Sequence, residues 1–495
     1  VSIASPRLVT LAFFAAILLL YLAFSPFSAA GMGYIGEEMN ACRQIGFRLL
    51  GGHGPIEWPR NGAAGLLFQC PFMAAGDAFL GASTISEDVG LSWQPAVATA
   101  LLVTLVFVWG SRLAQSRAWG FWLAVAAGFA TLLWPYASIG LETTQSVFLL
   151  AAAYLALGDS SPPPRAPQSW ARCLLFGFCA GIAISAKSGG ALLVPAVAYL
   201  AGCFLRGSAG SSRASAAKTA ATLLLVVVLF AANAWVRHIA WIRFGGGASF
   251  AALWLVRDPI SPLLNLLALL ASPNKGLFLY APLTLLAVIA LPRAARVAPR
   301  VAVFSVLTLL GLASVSLLGM WADETWGPRY LHSSVAPLVL CLAASKRDRP
   351  LRLRREPALV LAVAIGLAVS FLGVAFYYGT LMAVATTATT PTLETLQSDM
   401  TWNHVRFNGR LLRVWLRARR GADYPQYLPT GWYWSFHRLK QPPDWKRVDL
   451  TPFAHPLPLL LQGLEPRSPA RRTAPALAAA LVSGIALLVF VRRAS

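Results

Sequence analysis

The chain has 495 residues, 57% of them hydrophobic and 12% charged, and a mean hydropathy of +0.62, a balance that excludes an ordinary soluble globule. Lys and Arg number 41 against 19 Asp and Glu, a formal charge of +22. Nucleic acid is excluded as the reason for that excess, because about half the cations flank apolar runs as loop charges facing lipid headgroups, and no helix-turn-helix, RNP or zinc-finger spacing accompanies them.

A helix needs about 20 apolar residues to cross a hydrocarbon core roughly 30 Å thick, and its backbone polar groups must be satisfied within the segment. The long apolar runs therefore predict an all-α polytopic membrane protein with twelve transmembrane helices. They centre on 8–24, 94–110, 120–135, 144–157, 174–186, 191–204, 219–236, 277–291, 301–320, 333–344, 358–376 and 475–491. Cations gather on alternate connections: Arg7, Arg112 and Arg117, Arg165 and Arg172, Arg206, Arg213 and Lys218, Arg293, Arg296 and Arg300, the run from Lys346 to Arg355, and Arg492 with Arg493. By the positive-inside rule these loops and both termini are cytoplasmic, the other connections are extracytoplasmic, and the chain belongs in the cytoplasmic membrane. Arg7 before the first run and Ser28-Ala29-Ala30 after it would also suit a signal peptide, but eleven further runs favour an uncleaved anchor.

This pattern divides the chain into a transmembrane module, 1–378, an extracytoplasmic tail domain, 379–474, and a final span with its cytoplasmic end, 475–495. The first extracytoplasmic loop, 25–93, opens on Gly33-Tyr34-Ile35-Gly36-Glu37-Glu38-Met39. Adjacent carboxylates repel each other, and desolvation raises their pKa unless a cation compensates. Glu37 and Glu38 thus suit proton abstraction or cation binding, with a solvated loop charge as the plain alternative. Residues 40–50 follow with apolar positions at 41, 45 and 49 and charges at 43 and 48, the pattern of an interfacial helix that Gly51-Gly52 stops. Trp58-Pro59-Arg60-Asn61-Gly62 reads as a turn, and 66–80 as a second apolar element lying along the membrane surface, as does 260–271. Cys42 and Cys70 share this loop on an oxidising face, where they can pair. Cys173, Cys179, Cys203 and Cys341 lie in or beside spans as small apolar residues, and no Cys or His cluster has zinc spacing.

The tail holds Trp402, Trp415, Trp432, Trp434 and Trp445 and a basic stretch, 406–420, with Leu411, Leu412, Val414, Trp415 and Leu416 interleaved. The stretch reads as a basic amphipathic helix that meets either anionic lipid or an anionic acceptor or pyrophosphate-linked glycan. No repeat of fixed period is present.

The remaining notable charges fall at span ends on the extracytoplasmic face. Glu142 follows Trp134-Pro135-Tyr136-Ala137-Ser138-Ile139-Gly140, read as the turn between the third and fourth spans. Lys187 ends the fifth span, Lys275 precedes the eighth, and Asp323, Glu324, Arg329, Tyr330 and His332 lie in the turn 321–332. Any one of these side chains alone could simply snorkel to the interface. Several of both signs on one rim predict a polar cavity suited to a lipid with an anionic head.

In order and face, these motifs resemble the GT-C superfamily of integral-membrane glycosyltransferases, especially bacterial relatives of protein mannosyltransferases and aminoarabinose transferases. The resemblance runs over about residues 8–345. It rests on the acidic pair after the first span, the Pro-aromatic turn with its acid (Pro135, Tyr136, Glu142), Ala-Lys-Ser-Gly-Gly at Lys187, Lys-Gly-Leu-Phe-Leu-Tyr-Ala-Pro from Lys275 to Pro282, and Trp-Gly-Pro-Arg-Tyr-Leu from Trp326 to Leu331. Glu37 stands where the family usually has Asp. The resemblance implies sugar transfer from a polyprenyl-phosphate donor, with inversion, to an extracytoplasmic lipid, glycan or protein acceptor. It implies Glu37 and Glu38 as catalytic residues, Lys187, Arg329 and Lys275 at the donor phosphate, and Glu142, Tyr136, Asp323, Glu324, Tyr330 and His332 around the cavity. Some relatives bind a divalent metal, for which Glu37 and Glu38 are the candidate ligands. A lipid-linked saccharide flippase is the first rival; such transporters favour inverted repeats and broken helices, neither of which the sequence shows. An O-antigen ligase or polymerase, relying on Arg406, His404 and His437, is the second, and a noncatalytic scaffold the third.

Overall fold

The structure, a computed structural model, describes residues 5–24, 35–59, 63–81, 84–139, 142–158, 169–208, 213–243, 261–318, 326–376, 403–418, 459–462, 464, 471 and 474–494. The regular structure among these residues is helical, with no strand. The helices are α1 (Pro6–Ala23), α2 (Ile35–Leu49), α3 (Leu66–Leu80), α4 (Thr84–Ala114), α5 (Arg117–Phe129), α6 (Leu133–Ile139), α7 (Thr143–Leu157), α8 (Trp170–Ser185), α9 (Val194–Ser208) and α10 (Arg213–Arg243). They continue with α11 (Ser261–Ala271), α12 (Leu277–Tyr280), α13 (Pro282–Val297), α14 (Pro299–Ala313), α15 (Val335–Ser345), α16 (Pro357–Ala375), α17 (His404–Ala418), α18 (Leu459–Gln462) and α19 (Ala474–Ala494). Local signals mark their starts. Ser5, Ser116 and Ser169 cap α1, α5 and α8 through side-chain oxygens, and Pro opens α1, α13, α14 and α16, where no amide donor is missed.

Helix lies within each of the twelve expected spans, and among the described residues seven helices are long and apolar enough to cross a membrane. The third expected span is not one helix. It breaks after Phe129 and resumes as α6, so the segment Trp134 to Ile139, expected as a turn, is helical. The break is satisfied internally: the Thr131 hydroxyl accepts from Leu133 N at 3.2 Å, and the Ser370 hydroxyl donates to Thr131 O at 2.8 Å. The eighth span similarly restarts at Pro282 after the single turn α12. At the centre lie α4 and α15, every residue of α15 being buried, with α1, α5, α7, α13 and α14 around them. The last helix returns to the first, α19 lying along α1.

The loops sort into two ends as the charge pattern requires. At one end Arg112 lies over the Tyr154 ring, Arg172 donates to Leu155 O, Trp119 Nε1 donates to Arg349 O, Lys346 lies over Trp119, and Arg492 over Trp122. These are the segments read as cytoplasmic. At the other end Gln94 donates to Thr144 Oγ1 at 2.7 Å, and Tyr136 donates to Trp326 O at 2.9 Å.

The first long loop belongs to this second end. The Cys42–Cys70 disulfide joins α2 to α3, and Arg43 Nε reaches both oxygens of Glu87 at 2.9 and 2.8 Å, tying α2 to the start of α4. Ala41, Cys42, Leu66, Met73 and Leu91 form a small core between the three. Asn233 of α10 then clasps the loop to the bundle, accepting from Ala64 N at 2.9 Å and donating to Ser185 O at 2.6 Å. The two ends make sidedness testable. A cysteine placed at Arg355 and one placed at Leu50, both exposed, are expected to react with an impermeant thiol reagent from opposite faces of intact vesicles. Reaction of both from one face would overturn the charge-derived orientation.

Candidate functional site

Three chain reversals at the second end carry three buried charges. Glu142 is the N-cap of α7, and Ser146 stands one turn on, on the same helix face. Lys187 follows α8 and precedes a 3-10 turn, Ser188–Leu193. That reversal is tight: a Cβ at Gly190 would lie 2.3 Å from Ile184 O, so only glycine fits. Arg329 opens a second 3-10 turn, Arg329–Ser334, after Gly327, whose φ of +61° would strain other residues. Trp326, fully buried beside it, is fixed by Tyr136 at its carbonyl and by the Tyr280 ring at 5.3 Å.

The reversals converge. Lys187 Nζ pairs with Glu142 Oε1, and Arg329 Nε stands 3.9 Å from the same oxygen. Glu142 is 3% exposed, Lys187 8% and Arg329 9%. Glu142 Oε2 is buried and makes no hydrogen bond among the described residues. The Ser146 hydroxyl contacts Glu142 O at 2.9 Å, His332 Nδ1 at 2.8 Å and Ser333 Oγ at 2.8 Å. Burial, and next the nearby Lys187 charge, push the His332 imidazole down to about 3, so the ring is neutral at physiological pH. Tyr136 lies against it with ring centroids 4.9 Å apart, and the Arg329 guanidinium lies over the Tyr330 ring. One carboxylate oxygen therefore faces two cations in a buried site.

Of the residues read from the sequence, Glu142, Lys187, Arg329, Tyr330, Tyr136 and His332 come together. Lys275 is buried on the neighbouring turn, where Asn274 O accepts from Tyr280, the residue whose ring meets Trp326. Glu37 and Glu38 fall in the first turn of α2, and their side chains lie outside the described residues, as do Asp323, Glu324 and His437. Among the described residues no group of three His, Cys, Asp or Glu side chains could hold a metal ion. Sequence reading missed Ser146, Ser333 and Asn233, uncharged residues inside apolar runs. The i+4 spacing of Ser146 from Glu142 was the one available signal.

The fold and site define an all-helical polytopic protein with a buried ion cluster at one end of its bundle. No protein-family model matches the chain, and no curated protein matches it. Among solved structures it matches the crystal structure of ArnT from Cupriavidus metallidurans bound to undecaprenyl phosphate, at 14% identity and a TM-score of 0.46, over 99% of this chain and 76% of that one. A likeness this distant carries no statement about activity.

The cluster gives a stability prediction. Removing one partner of a buried pair leaves an uncompensated charge and typically costs about 3–5 kcal/mol. Glu142→Gln should therefore lower the thermal midpoint of the detergent-solubilised protein strongly, and adding Lys187→Met should recover much of the loss. Equal stability of the single variant and the parent would show that the cluster is not buried as described.

Proposed function

We propose that the chain is an inverting glycosyltransferase that moves a sugar from a polyprenyl-phosphate donor to a lipid, glycan or protein acceptor on the extracytoplasmic side of the cytoplasmic membrane. The observation that carries this reading is the convergence of Lys187 and Arg329 on Glu142, beside the loop that holds the acidic pair. A lipid phosphate leaving an anomeric carbon gains negative charge, and buried cations held in place stabilise it more than solvated ones. Arg329 offers a planar fork and Lys187 a point charge. Glu142 holds both cations in place, and Lys275 is buried on the adjoining turn at the same end.

In the reaction proposed, the acceptor hydroxyl oxygen attacks the anomeric carbon while its proton passes to the Glu37 carboxylate. The bond from that carbon to the phosphate oxygen breaks, and its electron pair leaves with the lipid phosphate. Inversion needs only one base, so no second nucleophilic carboxylate is required. The start of a helix favours negative charge, which suits the placement of Glu37 and Glu38 in the first turn of α2. A divalent metal, where used, would be held by the same two carboxylates. Tyr136, Tyr330 and His332, with Asp323 and Glu324, would line the sugar and phosphate cavity.

The flippase alternative leans on broken helices. At the break between α5 and α6 the Thr131 hydroxyl answers Leu133 N and the Ser370 hydroxyl answers Thr131 O, which favours a structural kink over a transport site. Turnover of a synthetic polyprenyl-phosphate sugar by the purified protein tests the reading. Glu37→Gln is expected to lose about 10²- to 10⁴-fold in rate while donor binding persists. Arg329→Lys and Lys187→Ala are each expected to lose about 10²- to 10³-fold. Near-parent turnover in Glu37→Gln would remove it as the base, and near-parent binding and turnover in both cation variants would remove the phosphate role.

A further inference from the structure

Helix α17 presents three distinct faces. The first is docked on the protein: His404, Phe407, Asn408, Leu411 and Trp415 are buried, and Asn408 donates to Leu372 O at 3.0 Å at the end of α16. His404 meets the Trp326 ring at 5.9 Å, and Asn403 donates to Pro273 O, so the helix begins beside the ion cluster's end of the bundle. Diametrically opposite, Arg406, Arg410, Arg413 and Arg417 fall within about 60° of one another at the helical advance of about 100° per residue. Three of the four are exposed. Between these faces runs an apolar flank, Val405, Leu412 and Leu416, of which Leu416 is 54% exposed.

Like charges three and four residues apart destabilise a helix. Burial, then Arg406 and Arg413, lower the Arg410 pKa, which marks the crowding. Such a stripe is favourable only against a dense array of anions. The apolar flank decides which kind. A soluble polyanion would need the cations alone, whereas a bilayer surface offers acyl chains to the flank and phosphates to the arginines. The host helix α16 itself exposes Val360, Leu361, Ile365 and Leu367 along its first half, as a membrane span does. We propose that α17 is a binding site for anionic phospholipid: Leu416 and its flank enter the acyl boundary, and the four arginines lie on the headgroup phosphates. The proposal is independent of the transferase reading.

The test uses the full-length protein in nanodiscs, with a spin label at Leu416→Cys in a Cys203→Ala background. In a bilayer containing anionic phospholipid, the label should become more accessible to oxygen and less to a water-soluble nickel chelate than in a zwitterionic bilayer. High salt should reverse the change. Each Arg→Gln at 406, 410, 413 or 417 should weaken the association about fivefold, and replacement of all four by Lys should largely keep it. Identical label accessibility in the two bilayers would overturn the proposal without reliance on any variant. Arginine-dependent binding of polyphosphate to the solubilised protein, with no effect of bilayer composition, would also overturn it by making the partner a soluble polyanion.

Discussion

A carboxylate buried between two cations constrains every element that supplies one of the three. Glu142 comes from the cap of α7, Lys187 from the reversal after α8 and Arg329 from the turn before α15, so the pairing fixes three chain reversals against each other. Two of them depend on local chemistry that places the charge: glycine at 190 for the close approach after Lys187, and before Arg329 glycine at 327 for positive φ with Trp326 beside the Tyr280 ring. Burying such groups is costly, and a packed apolar trio would often serve stability as well. The cluster is better understood as a specifying device, because apolar helix faces alone would tolerate sliding and rotation that an ion cluster does not.

The same end of the bundle receives the first loop, and there covalent and polar contacts replace apolar packing. A short helix such as α2 is marginal alone. It is held by the disulfide to α3, the Arg43–Glu87 fork to α4, and a small apolar core between them. Asn233 then joins that assembly to Ser185, two residues from Lys187. In the proposed reaction this chain of contacts matters because a base and a phosphate site must keep their separation through turnover, and misplacement of about 1 Å can cost 10²-fold.

Much of this was legible in the sequence, for identifiable reasons. Apolar runs and alternating basic loops depend on composition alone, so the helices and the sorting of loops into two ends followed from them. Glu142, Lys187 and Arg329 stood out because charges are rare in such a chain. The kink after Phe129 was not legible, since neither Thr131 nor Ser370 differs from any helical hydroxyl until the two meet across the bundle. Asn233 was hidden for the same reason: its partners are main-chain atoms 169 and 48 residues away. In α17 the basic pattern was evident but the docked face was not. Of the apolar residues read between the arginines, Leu411 and Trp415 are docked on the protein, together with His404, Phe407 and Asn408. Periodicity finds a stripe; the neighbour decides which stripe is inside.

The pairing at the site uses only part of what its carboxylate offers. Glu142 uses one oxygen for both cations and leaves Oε2 buried without a partner among the described residues, an arrangement short of full satisfaction. The neutral His332 adds no charge to this pairing. In the reaction proposed, a lipid phosphate would bring several acceptor oxygens and would take over part of the coordination of Lys187 and Arg329. On that reading Glu142 keeps the two side chains aligned, and the phosphate competes with it for both.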